Sequence, residues 1–194
     1  AFAAFGAHPY GRPAGGTKAS LAAIDQATVQ AFWASHYHPK STTIVVAGDV
    51  DRARLTELLT PTFGAWRGNR PAPALKPKTP AAPAPALVVF DRPGAPQSVV
   101  LIGRQGPRAS DSGRIAQDVT NTVLGGSFAA RLNASLREEL GYTYGAYSRF
   151  WRGAWGGNWV VTTALRSDVT VEGIREVQRL IKTMIDTAIP ADEL

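Results

Sequence analysis

Residues 67–86, RGNRPAPALKPKTPAAPAPA, hold six prolines separated mainly by alanines. Proline lacks an N–H and fixes φ, so this stretch favours extended polyproline-like backbone and cannot supply a regular ladder of hydrogen bonds. It reads as a linker. The chain is thereby divided into an amino-terminal block of residues 1–66 and a carboxy-terminal block of residues 87–194, each needing its own source of buried surface.

In the first block Asp25 is an N-cap for a helix whose Val29, Phe32, Trp33 and Tyr37 recur at helical spacing, and His38-Pro39 ends it. Residues 42–48, TTIVVAG, are β-branched and apolar, which predicts a buried strand. Asp51 caps a second helix with Leu55, Leu58, Leu59 and Phe63 on one side. A helix-strand-helix unit with one strand leaves backbone groups unpaired on both strand edges, so further sheet must come from elsewhere.

The second block opens with two strand-like runs, residues 87–94 and 97–106, joined at a Pro/Gly break. A helical hairpin follows, with Ile115, Val119 and Val123 in its first arm and Phe128, Leu132 and Leu136 at spacing of four in its second. Gly141 stops that arm. Residues 142–150 and 157–165 read as two more strands, and an amphipathic helix from about Asp168 carries Ile174, Val177, Leu180, Ile181, Met184 and Ile185. Strand pairs flanking helices without βαβ alternation indicate an α+β fold with an antiparallel β-sheet packed against helices.

Composition removes several kinds of chemistry. The chain has no cysteine, which excludes a disulfide framework, a thiolate metal site and a cysteine nucleophile. His8, His36 and His38 are its three histidines, and none belongs to H-x-x-E-H or H-E-x-x-H, so no zinc site is expected from this chain alone. Gly125-Gly126-Ser127 lacks the second half of a serine-hydrolase elbow. The net charge of +6 raises the question of nucleic acid, but Arg12, Arg54, Arg92, Arg114 and Arg131 are scattered rather than clustered, so no nucleic-acid face is expected. No run of eighteen apolar residues suggests a membrane span, and no segment assigns a compartment.

The informative stretch is LGGSFAARLNASLREELGYTYGAY, residues 124–147, where a helix delivers Arg137 near its end and Tyr144 emerges on the next strand. A guanidinium with five N–H donors and a phenol with one could together hold a peptide carbonyl or an oxyanion. Equally, an Arg beside Glu138 and Glu139 suits a surface ion pair, and a strand Tyr suits a core.

The order of HPYGRPAGGT, VQAFWASHYHPKSTTIVVAGDVD, FGAWRG, RPGAPQSVVLIG and LGGSFAARLNASLREELGYTYGA resembles the insulinase/pitrilysin metallopeptidase family over nearly the whole chain. That resemblance implies repeated α+β domains enclosing a chamber, with H-x-x-E-H and a distal glutamate binding zinc in one of them. It places residues 1–66 at the end of a zinc-type domain and residues 87–194 in the first part of the following zinc-free domain. It implies that Arg137 and Tyr144 face a peptide substrate opposite a zinc ion held by another domain of the same protein or by a partner subunit. No catalytic residue and no metal ligand carries over to this chain. The implied function is that of a non-catalytic, substrate-binding region of a zinc metalloendopeptidase that cuts peptides with a zinc-activated water. The alternatives are a structural scaffold related to respiratory-complex core proteins and, behind it, a basic nucleic-acid-binding module. Apolar faces left without their missing domain partners also imply self-association.

Overall fold

The computed structural model describes residues 2–68, 80–81 and 83–194, so most of the proline-rich linker lies outside the described residues. Contacts divide the chain into two units, residues 14–76 and residues 1–13 together with 77–194.

The short α1 (Phe2–Phe5) belongs to the larger unit. The smaller unit holds α2 (Lys18–Ala22), α3 (Gln26–His36) and α4 (Arg52–Phe63). Each begins at a side-chain cap. Asp25 Oδ1 accepts from Thr28 N at 2.8 Å and Asp51 Oδ1 accepts from Arg54 N at 2.8 Å, satisfying N–H groups that a helix start leaves without a partner. The caps stand where the sequence puts them, yet the apolar faces do not close over. Val29, Phe32, Trp33 and Tyr37 are all exposed, and no residue of these helices is buried.

The strand expected at residues 42–48 does not form. Thr42 has extended dihedrals, but Val45 is 85% exposed and no strand of the described residues pairs with the segment. Residues 87–94 differ in the same way: Leu87, Val88, Val89 and Phe90 are exposed and unpaired, so the expected hairpin across the Pro/Gly break is absent. Both segments carry strand-forming side chains, but a strand also needs a neighbour for its N–H and C=O groups.

In the larger unit three strands, β1 (Gln97–Gly106), β2 (Thr143–Arg152) and β3 (Gly157–Arg166), form an antiparallel sheet in the order β1-β3-β2. Gln97 pairs with Arg166 and Gly106 with Gly157 along β1, while Thr143 pairs with Leu165 and Arg152 with Gly157 along β2. One sheet face is covered. Val161 and Leu165 of β3 and Ala146 of β2 form the core with Leu124, Leu132, Leu136, and with Val177 and Leu180 of α5 (Thr170–Asp186). Ile174, Ile181 and Met184 pack at its margin, as the helical spacing predicts, whereas Ile185 is exposed.

The helical hairpin between β1 and β2 is less regular than its sequence suggests. A helix over Arg114–Asn121 passes into a π-helical turn at Thr122–Gly126, and a short helix at Arg131–Asn133 passes into a second at Ala134–Glu139. Phe128 lies before the second arm and is exposed, while Leu132 and Leu136 are fully buried. Gly125 explains how the first arm reaches the sheet: an added Cβ would lie 2.6 Å from Ser148 N and 2.6 Å from Leu132 Cδ1. Asn121 sits at the same junction. Its Oδ1 accepts from Trp159 Nε1 at 2.8 Å and Ser148 Oγ at 2.7 Å, and its Nδ2 donates to the Ser148 carbonyl at 2.9 Å. The amide thereby ties the helical layer to β2 and β3 through three hydrogen bonds.

Candidate functional site

Arg137 lies in the second π-helical turn, where Leu140 N donates to the Ser135 carbonyl five residues back at 3.0 Å. Such turns are rare and occur often at functional sites. Leu136 anchors the turn in the core and turns the neighbouring Arg137 toward the surface. The Arg137 guanidinium stands 4.4 Å from the centroid of the Phe128 ring, and its Nε is 3.4 Å from Glu138 Oε1. Its side chain keeps 34% exposure. The planar cation is thus held over an aromatic face without losing access to solvent, and the exposed Glu138 contributes little at that distance.

Gly141, at φ 63°, reverses the chain between this turn and β2. Tyr144 follows within a register shift between Thr143 and Ala146. Two buried threonines lock that bulge. Thr143 Oγ1 accepts from Gly145 N at 3.1 Å and donates to the Ala164 carbonyl at 2.8 Å, while Thr163 Oγ1 donates to the Gly145 carbonyl at 3.0 Å. A bulge re-aims side chains, and here Tyr144 projects outward with 89% exposure. Its hydroxyl has no hydrogen-bond partner among the described residues. Arg137 and Tyr144 make no direct bond to each other among those residues; each is positioned separately, at one end of the same sheet.

A third contact holds the Arg137 turn against α5. Ser135 Oγ donates to Glu176 Oε1 at 2.6 Å, and Glu176 also pairs with Arg179 at 2.6 Å. The hydrogen bond from Arg179 is the largest influence lowering the Glu176 pKa below the ordinary 4.5, opposed by burial and reinforced by Ser135. A depressed carboxylate contributes stability that is fully present above its unfolded pKa and is lost as pH falls through the folded one. Glu176→Gln is therefore expected to be less stable than the native chain at neutral pH and to lose less stability on acidification. Denaturant titrations at about pH 7 and pH 3 check this, and parallel losses in both proteins would contradict it.

Among the described residues no group of three or more His, Cys, Asp or Glu side chains could hold a metal ion. His8 Nδ1 accepts from Tyr10 N at 3.1 Å, and His36 stacks on Phe32 at 4.1 Å between centroids, so these rings serve local structure. The described residues do not fit a zinc site. No described helix is long and apolar enough to cross a membrane. An open groove of about 480 Å³ lined by Arg104, Gln117, Phe150 and Trp159 belongs to the opposite end of the sheet from Tyr144.

Sequence reasoning singles out Arg137 and Tyr144 but not their surroundings: Phe128, read from its spacing as one of the core leucines' row, and Asn133, a polar residue between Leu132 and Leu136. Asn133 is fully buried. An amide inside an apolar periodic run is the one local signal that could have drawn attention to it.

The family model described as the peptidase M16 inactive domain matches residues 23–194. An uncharacterized zinc protease of Mycobacterium leprae is 36% identical over 148 residues, covering 75% of this chain and 33% of the relative. One of Streptomyces coelicolor is 31% identical over 149 residues, covering 74% and 32%. The chain thus spans about a third of the length of the curated relatives it matches. A crystal structure of a peptidase M16 inactive domain from Pseudomonas fluorescens superposes with a TM-score of 0.89 at 25% identity, over 99% of this chain and 46% of that one. A chain in the structure of complex III2 from Candida albicans shares the fold, with a TM-score of 0.79 at 16% identity over 98% of this chain and 46% of its own. On the strength of the match across both blocks, the chain belongs to the peptidase M16 family, the insulinase/pitrilysin metallopeptidases, as an inactive-domain region.

Proposed function

We propose that this chain is the substrate-handling, zinc-free part of an M16 peptidase, in which Arg137 and Tyr144 hold an extended peptide opposite a zinc ion supplied by another domain or subunit. On this reading residues 1–66 close the zinc-type domain and residues 87–194 open the zinc-free domain that follows. The carrying observation is Tyr144, a phenol with 89% exposure thrown outward by a bulge that the Thr143 and Thr163 hydroxyls hold from inside. A large aromatic held out in this way, with a donor free, is poised to bond a ligand. Arg137 adds a fixed cation whose remaining N–H groups can meet a backbone carbonyl. Peptide in extended form pairs through its main chain, which tolerates many sequences.

The scaffold reading is kept as the alternative because the Candida albicans complex III chain has the same fold. A scaffold has no use for a projecting phenol or for a guanidinium mounted on an aromatic ring, and that favours the peptidase reading.

The test is peptide hydrolysis in the presence of zinc, measured for this chain alone and for its complex with the zinc-bearing M16 half. Cleavage is expected only in the complex. Stoichiometric zinc binding with cleavage by the chain alone would overturn the proposal, and an inactive complex would favour the scaffold.

A further inference from the structure

Asn133 is fully buried between two fully buried leucines, at a place where an apolar side chain of similar size would cost less to desolvate. Its carboxamide has two uses. Nδ2 donates to the Phe128 carbonyl at 2.7 Å, and Oδ1 accepts from Ala146 N at 3.3 Å. The first bond fixes the loop whose aromatic ring lies under the Arg137 guanidinium. The second fixes β2 at the residue where regular pairing resumes, two positions beyond Tyr144. One side chain therefore bonds both the loop that carries the ring under Arg137 and the strand that carries Tyr144, and it hydrogen-bonds to neither Arg137 nor Tyr144.

We infer that Asn133 is a positioning residue for substrate handling, setting Arg137 through the Phe128 platform and Tyr144 through the bulge. The inference rests on the peptidase reading above. Its physical basis is geometry: a cation on a long flexible stem is useful at a reacting carbonyl only if its location is fixed before substrate arrives, and misplacement by about 1 Å can cost on the order of 10²-fold. The Phe128 ring limits the Arg137 arc, and the Asn133 amide holds the backbone from which that ring projects. Asn133 does this from inside, where water does not compete for its hydrogen bonds.

Two substitutions separate this role from ordinary stability. Asn133→Asp keeps an acceptor for Ala146 N but faces the Phe128 carbonyl with an oxygen. Phe128→Ala removes the platform from a side chain that is 61% exposed, so it leaves the core intact even if Asn133→Asp fails to fold. In the complex with the zinc-bearing half, each folded variant is expected to lower kcat/KM about 10- to 100-fold. In an Arg137→Ala background, Phe128→Ala should add less than about two-fold, because its effect runs through that guanidinium.

Losses that multiply in the double variant would overturn the inference. So would wild-type kcat/KM in Phe128→Ala while Arg137→Ala is impaired, and this outcome leaves the peptidase reading standing. Wild-type kcat/KM in both Arg137→Ala and Tyr144→Phe would remove that reading and the inference with it.

Discussion

Arg137→Ala and Tyr144→Phe, assayed in complex with the zinc-bearing half, should each lower kcat/KM by about 10²- to 10³-fold while leaving thermal stability near that of the native protein. This is the range seen when one preorganised donor to a developing oxyanion is removed. Stability should hold because neither side chain supports the fold. Tyr144 is almost wholly exposed, and the Arg137 ion pair with Glu138 is a long surface contact worth little. Tyr144→Phe is the sharper of the two, since it keeps the ring and removes only the hydroxyl. Arg137→Lys distinguishes charge from shape: an ammonium keeps the charge but loses the planar fork, and should recover only part of the loss. A Tyr144→Phe variant with full activity would show that the exposed hydroxyl does not meet substrate.

The elements that can be read from sequence here are those whose partners lie within the chain. Residues 143–152 and 157–166 pair as expected because each run finds the other across a Gly-rich turn, and α5 closes on the sheet because its apolar row meets Leu165 and Val161. The runs at 42–48 and 87–94 have the same β-branched signature, yet none of the described strands pairs with them, so composition alone misleads. Arg137 and Tyr144 were visible as residue types at a helix end and on the next strand. The π-helical turn, the bulge and the Asn133 amide were not. The bulge and the Asn133 amide depend on contacts between separate elements, Thr143 with Ala164 and Asn133 with Ala146, which local periodicity does not encode.

Leu136→Ala is expected to destabilise the larger unit by about 2–5 kcal/mol, the range for deleting a fully buried leucine. Leu136 packs in the cluster with Leu132, Ala146, Val161 and Leu165, all but fully buried, so little can collapse into the space it leaves. Ile115 provides the comparison. Helical spacing groups Ile115 with Val119 and Val123 as one apolar row, but the structure leaves it 67% exposed. Ile115→Ala should therefore change stability by less than about 0.5 kcal/mol. Denaturant unfolding of the two variants on this chain measures the difference directly. A large loss from Leu136→Ala with little from Ile115→Ala places the core where the sheet and α5 meet, and leaves the outer row of the first hairpin arm free for contacts beyond this unit. Equal losses would mean that Ile115 is covered in solution, and that the apolar row seen in the sequence is part of the core after all.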